Sequence, residues 1–268
     1  MCWGCNAVNG IVIAAIVVAG IGLAAGILLG IASIVFSVKQ NEKEQKLLEI
    51  LPGANCGACS FAGCADYARA LATGKVKITL CPVGGEEGVK KIAAVLGVDA
   101  GETRKKVAFV QCAGDCEHAK QRADYKGVPT CYAANLLCKG EKACAYGCAG
   151  LGDCVEACKY GAISVQNGVA VVDCSKCVGC GMCAAACPKK IITLVYAGNY
   201  AHVVCRNADK GGETRAVCSA GCIGCGKCVR TCENGAITLL DNHAQIDIEK
   251  CIGCGKCVPA CPVGAIRI

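Results

Sequence analysis

CIGCGKCVPACP, residues 251–262, separates four cysteines by two, two and three residues and ends on a proline. Near copies stand upstream: CVGCGMCAAACP at 177–188 and CIGCGKCVRTCE at 222–233, with an irregular relative, CAYGCAGLGDCVEAC, at 144–158. The last cysteines of the four runs are Cys158, Cys187, Cys232 and Cys261, at intervals of 29, 45 and 29 residues. A shift of 74 residues carries Cys154, Cys158, Cys177, Cys180, Cys183 and Cys187 onto Cys228, Cys232, Cys251, Cys254, Cys257 and Cys261. The region is therefore a tandem duplication of a module that is itself doubled.

Cysteine supplies 29 of the 268 residues while aromatic side chains make up only 4%, so the usual large core-formers are scarce. Something other than a conventional core must hold the chain together. That density raises three readings: disulfides, zinc and iron-sulfur clusters. An odd count in tight CxxC runs does not pair off, and neighbouring cysteines of such a run are better placed to share one metal centre. Zinc would give closed tetrahedral sites in a colourless protein. The CxxCxxCxxxCP spacing instead matches 4Fe-4S binding, in which three cysteines hold one cluster and the fourth crosses to its neighbour.

Applied to the last module, that rule assigns Cys222, Cys225, Cys228 and Cys261 to one cluster and Cys251, Cys254, Cys257 and Cys232 to another. In the earlier module it assigns Cys177, Cys180, Cys183 and Cys158. The irregular run departs from the rule, because Leu151 occupies the position that matches Cys225. The most economical replacement is Cys144, four residues before Cys148, which gives Cys144, Cys148, Cys154 and Cys187. A separate constellation, LPGANCGACSFAGC at 51–64 with CP at 81–82, offers Cys56, Cys59, Cys64 and Cys81. Its glycines let backbone amides approach cluster sulfurs. Nine cysteines remain: Cys2, Cys5, Cys112, Cys116, Cys131, Cys138, Cys174, Cys205 and Cys218. The 74-residue shift relates Cys131 to Cys205 and Cys144 to Cys218, so with Cys144 used elsewhere, Cys112, Cys131, Cys205 and Cys218 form the expected sixth set. The alternative for these four is free buried thiols. No role follows for Cys2, Cys5, Cys116, Cys138 or Cys174, and His118, His202 and His243 show no metal spacing and read as surface or loop residues.

After each fourth cysteine comes a short β-type segment: GAISV (161–165), IITLV (191–195), GAITL (235–239) and GAIRI (264–268). Turns at Asn167-Gly168 and Asp241-Asn242 join the first and third of these to VAVVD and AQIDI, a hairpin pattern. Short helices and paired strands around buried inorganic centres give an α+β fold, the small pattern of bacterial ferredoxins.

No charge precedes Lys39, and the run from Ile11 to Val38 is apolar apart from Ser33, Ser37 and glycines, long enough to span a bilayer. It lacks the basic start and small-residue cleavage site of a signal peptide. Lys39, Lys43 and Lys46 follow it, which places residues 39–268 in the cytoplasm by the positive-inside rule. Gly22, Gly26 and Gly30 form a GxxxGxxxG face suited to packing on another membrane helix. The expected organisation is an N-terminal segment and transmembrane helix (1–38), a juxtamembrane 4Fe-4S domain (39–98), a connecting segment (99–140), a ferredoxin-like module (141–197), a second connector (198–219) and a second module (220–268).

The formal charge of +7 omits the clusters. Each oxidised 4Fe-4S centre with four thiolates carries about −2, so five bring the total to about −3 and six to about −5. Lys189, Lys190, Lys227, Arg230 and Lys256 are candidates to steer an acidic partner to a dock. No nucleotide fingerprint of the GxGxxG or P-loop kind stands outside the apolar run.

The apolar anchor, LPGANCGACSFAGC with Cys81-Pro82, YGCAGLGDC and the paired runs together resemble the B subunit of Rnf complexes, the ion-translocating ferredoxin:NAD oxidoreductases of bacteria and some archaea. The likeness spans nearly the whole chain. It implies a subunit without a substrate pocket of its own that takes electrons from reduced ferredoxin and relays them through at least five 4Fe-4S clusters. Membrane redox subunits would receive them, with sodium or proton translocation and NAD reduction carried out by the complex. It also implies a single-pass protein of the bacterial cytoplasmic membrane, with Cys56, Cys59, Cys64 and Cys81 as the exit toward the membrane subunits. A polyferredoxin-type subunit of a membrane hydrogenase or quinone-linked dehydrogenase is the competing expectation. Binding of nucleic acid is not expected.

Overall fold

Helix α1 (Gly4–Val35) is apolar on every side from Ile11 to Ala32, because alanine, valine, isoleucine, leucine and glycine fill that stretch without a polar stripe. Its 32 residues rise about 48 Å at 1.5 Å each, more than the roughly 30 Å of a bilayer's hydrocarbon core. The window Ala15–Ala32 has a mean hydropathy of 2.5, so this one helix is long and apolar enough to cross a membrane by length and composition. The computed structural model describes residues 4–35, 42–101 and 104–268. Cys2, Lys39 and the side chain of Cys5 lie outside the described residues. Nothing stands within 4 Å of where a Cβ would project from Gly22, Gly26 or Gly30.

The chain divides into two units, Met1–Glu42 and Lys43–Ile268. In the second, α2 (Glu42–Ile50), α3 (Cys64–Ala72) and α4 (Gly85–Leu96) form a helical layer whose shared core is Leu47, Leu51, Tyr67, Ala68, Leu71 and Ile92. Helix α4 opens with Glu86 and Glu87, favourable at the positive end of a helix, and pairs them with Lys90 and Lys91 at 2.7 Å. It stops at Gly97, whose φ of 68° supplies the left-handed cap.

The cysteine-rich remainder is built from short elements. They are β1 (Lys106–Val110), α5 (Cys131–Cys138), α6 (Asp153–Glu156), β2 (Ile163–Gln166), β3 (Val169–Val172), α7 (Met182–Ala186), β4 (Ile192–Tyr196), β5 (His202–Val203), α8 (Gly211–Val217), α9 (Lys227–Thr231), β6 (Ile237–Leu240), β7 (His243–Ile246), α10 (Cys257–Ala260) and β8 (Ile266–Arg267). Four antiparallel two-stranded sheets result, β1–β4, β2–β3, β5–β8 and β6–β7. The hairpins β2–β3 and β6–β7 turn where the sequence places them, with Asn167, Asp241 and Asn242 in the left-handed conformation that asparagine and aspartate tolerate.

The other two sheets were not legible in the local pattern. Strand β4 pairs with β1 in the register Val110↔Ile192, and β8 pairs with β5 in the register Val203↔Ile266. Stretches 99–140 and 198–219, read from sequence as connectors, thus supply the strands that complete each module. Two cores follow, one centred on Val107, Ile163, Val169, Ile191 and Ile192, the other on Val203, Ile237, Ala265 and Ile266. Cysteines line both. A backbone bridge joins Cys112 to Cys205 and another joins Ala119 to Cys218, so the two modules meet through their added segments.

Candidate metal centres

Each repeated run wraps around its own cysteines because glycines permit left-handed turns between them. Gly150 and Gly224 are 74 residues apart, have φ of 75° and 63°, and a Cβ on either would lie 2.6 Å from the carbonyl oxygen of Gly168 or Asn242 in the facing hairpin turn. Only glycine fits both demands.

Among the described residues, the cysteines gather in fours. In the last module Cys222, Cys225, Cys228 and Cys261 line one cavity, and Cys232, Cys251, Cys254 and Cys257 line another. Burial and the charges of Cys222, Cys261 and Cys225 push the Cys228 thiol up to about 11. In the earlier module burial, then Cys177, Cys180 and Cys158, act likewise on Cys183, also to about 11. Near the start of the unit, Cys59, Cys64 and Cys81 pack on the helical core, and burial followed by Cys59 and Cys56 raises the Cys81 thiol.

The two remaining sets differ from the sequence expectation by one exchange. Cys131, not Cys144, shares a cavity with Cys148, Cys154 and Cys187. Burial followed by the charges of Cys148, Cys131 and Cys187 takes Cys154 up to about 12. Cys144 lines a separate cavity with Cys112, Cys205 and Cys218. Helix α5 delivers Cys131: Thr130 caps it by accepting from the Ala133 amide at 3.2 Å, and Asp153 accepts from the Cys131 and Tyr132 amides at 2.7 and 3.0 Å. The thiol that stands with Cys148, Cys154 and Cys187, where Leu151 breaks the run, thus comes from 20 residues upstream of Leu151, on a helix held to α6 through Asp153. The 74-residue shift held part of the signal, since it relates Cys144 to Cys218 as equivalents in the two halves, and both line the cavity where the two modules meet. The same shift misled for Cys131 and Cys205, because strand register makes Cys112, not Cys131, the counterpart of Cys205.

These sets fit the donor chemistry of iron-sulfur clusters. Every cysteine from Cys56 to Cys261 is a free thiol. Backbone amides point at several of the sulfurs, from Ala108 to Cys177 at 3.3 Å, Ala162 to Cys158 at 3.4 Å, Ala265 to Cys261 at 3.2 Å and Cys148 to Cys112 at 3.4 Å. Such bonds favour a charged sulfur and tune a cluster's potential. Among the described residues no trio of His, Cys, Asp or Glu converges tightly enough for one metal ion, whereas a four-iron cube spreads its thiolates, one to each iron. Cys116 and Cys174 are exposed and Cys138 donates to the Ala134 carbonyl at 3.3 Å, outside every set.

Two of the three histidines are less superficial than the sequence suggests. His118 is exposed and bonds Asp115 at 2.7 Å. His202 is half-buried against Phe109, ring centroids 4.8 Å apart, and burial lowers its pKa. His243 is buried on β7. Lys189, read from sequence as a steering cation, turns inward: its Nζ donates to the Lys139 carbonyl at 2.6 Å and to that of Ala145.

Comparison with known proteins agrees with this arrangement. An Fe-S cluster family model matches residues 51–83, and 4Fe-4S dicluster domain models match 176–237 and 221–265. The chain is 45% identical to the B subunit of the ion-translocating oxidoreductase complex of Methanosarcina acetivorans, over 87% of this chain and 89% of that one. It is 43% identical to the B subunit of the Na(+)-translocating ferredoxin:NAD(+) oxidoreductase complex of Acetobacterium woodii, over 85% and 69%. The B subunit of the proton-translocating ferredoxin:NAD(+) oxidoreductase complex of Clostridium ljungdahlii is 38% identical over 80% and 76%. With thiol sets suited to 4Fe-4S clusters in a chain that aligns over most of its length with these relatives, the chain belongs to the B-subunit family of Rnf ion-translocating oxidoreductase complexes, as an electron-transfer subunit.

Proposed function

We propose that the chain carries six 4Fe-4S clusters and passes electrons from reduced ferredoxin in the cytoplasm toward membrane redox subunits of an Rnf complex, which couples their flow to sodium or proton translocation and NAD reduction. The observation that carries this reading is the unbroken succession of four-thiol sets. Helices α9 and α10 pack together and place Cys228 and Cys257 in adjoining sets of the last module. Cys222 and Cys144 both act on Cys205, which brings the set of Cys112, Cys144, Cys205 and Cys218 next to the module. The Cys148 amide donates to Cys112, which adds the set of Cys131, Cys148, Cys154 and Cys187. Helices α6 and α7 pack together and carry on to Cys158, Cys177, Cys180 and Cys183. Finally Cys56 and Cys180 face one cavity of about 1030 Å³, and Cys56 is close enough to help raise the Cys180 thiol.

When bound, the clusters supply one-electron redox chemistry at closely spaced points. The protein's part is to bury the thiols, aim amides at them and fix their order. The set of Cys56, Cys59, Cys64 and Cys81 begins a few residues after α2, so it serves as the exit toward the membrane. The opposite end serves the donor, where Cys254 is exposed beside Ile252, itself 72% exposed. Basic Lys227, Arg230 and Lys256 lie near that end, although Lys256 is paired with Glu233 at 2.6 Å. Helix α1 anchors the chain as a single span in the cytoplasmic membrane, and the lysines after it favour a cytoplasmic location for the cluster-bearing unit.

The test is Cys56→Ala in the assembled complex. Ferredoxin binding should persist while ferredoxin-driven NAD reduction falls at least tenfold. Unchanged NAD reduction would remove the exit assignment.

A further inference from the structure

Two lysines bracket the junction between the set of Cys131, Cys148, Cys154 and Cys187 and the set of Cys112, Cys144, Cys205 and Cys218. Lys142 lines the cavity of the second set, and its charge acts on Cys148 of the first. Its Nζ donates to the carbonyls of Gly114 and Gly168, both at 2.7 Å. Lys189 lines the cavity of the first set and interacts with Cys187 there and with Cys144 across the junction. Its Nζ is fixed by the carbonyls of Lys139 and Ala145. Among the described residues neither ammonium has a carboxylate partner, whereas Lys176, in the run on one side, is paired with Asp173, Lys227 and Arg230, in the run on the other side, are exposed, and Lys250 and Lys256 of the terminal run are paired with Asp247 and Glu233. Asn207, 1% exposed, adds a side-chain N–H to Cys144 at 3.5 Å and a backbone N–H to Cys205 at 3.5 Å.

Reduction adds one negative charge to a cluster and its thiolates. A fixed cation in a poorly solvated site stabilises that added charge more than a paired surface lysine does. Asp153 opposes the effect beside Cys131, but its oxygens are taken up by two amides of α5. We propose that Lys142 and Lys189 are tuning residues that hold these two adjoining cluster sites at higher reduction potential than the sites on either side. The pair then collects two electrons in the middle of the succession. One-electron donors fill it in two steps, which suits a complex whose final acceptor takes electrons in twos. This inference rests on the six-cluster reading above.

The test is an EPR-monitored redox titration of the full chain, with iron and sulfide measured on every sample. In the unaltered protein the first two electrons should appear as a spin-coupled pair, not as two isolated signals. Lys142→Gln and Lys189→Gln should each lower that midpoint by about tenfold in the reduction equilibrium, 59 mV for one electron, while Lys142→Arg and Lys189→Arg keep it. Isolated first signals, or a coupled signal whose midpoint ignores both glutamine variants at full iron content, would overturn the proposal. Should a glutamine variant lose iron, the order of signals in the unaltered protein still decides. Fewer than six clusters in the unaltered protein would instead overturn the ligand sets beneath it.

Discussion

Cys131 and Cys144 stand in different thiol sets, and that separation is measurable. Cys131→Ala and Cys144→Ala should each lose the iron of about one cluster, and the double variant that of about two. If both served one cluster, the double variant would lose no more than either single one. Gly224→Ala should destabilise the last module by about 1–3 kcal/mol, since it forces a left-handed φ on a side chain that also meets the Asn242 carbonyl. Thermal loss of cluster absorbance at a lower temperature checks this. Tyr67 donates to the Lys77 carbonyl at 2.9 Å, and burial raises its pKa to about 12 from 10.0. Because the folded value is the higher one, the stability it contributes is whole below pH 10 and is lost as pH climbs through about 12. Tyr67→Phe should therefore flatten the alkaline decline in urea titrations made between those values. At this scale the regular cysteine runs were readable because their chemistry is written in consecutive spacing. The Cys131 assignment was not, since it depends on how α5 docks on Asp153.

Among elements, α2 owes its place to packing and not to helix propensity, for nine residues are too few to be stable alone. Leu47, fully buried, fixes it against α3 and α4. Leu47→Ala should cost about 2–5 kcal/mol there, visible as faster amide exchange in α3 and α4 with β6 and β7 unaffected. The hairpins β2–β3 and β6–β7 could be read from turn residues next to alternating strands. The β1–β4 and β5–β8 pairs could not, because each strand finds its partner more than 60 residues along the chain, where no local pattern reaches. Those pairings turn the apparent connectors into sheet edges and bring Cys112 beside Cys205.

For the whole molecule, duplication has done more than add clusters. The two modules repeat the same internal geometry, and the segments added before each of them meet to bring Cys112 and Cys144 together with Cys205 and Cys218, two thiols from each half. A chain with few aromatic residues thus gains cohesion at the seam as well as within each module, and the thiol sets adjoin one another from the exposed end at Cys254 to Cys180, which faces Cys56 across a cavity of about 1030 Å³. The apolar helix and the cysteine repeats were plain in the sequence, while the seam emerges only when both halves are folded. The most direct test of this account is anaerobic quantification of iron and acid-labile sulfide in the full chain, paired with dithionite reduction followed by EPR. Six clusters predict about 24 of each per chain, with reducible paramagnetic centres. Stoichiometric zinc, or a chain with no reducible paramagnetic centre, would contradict it.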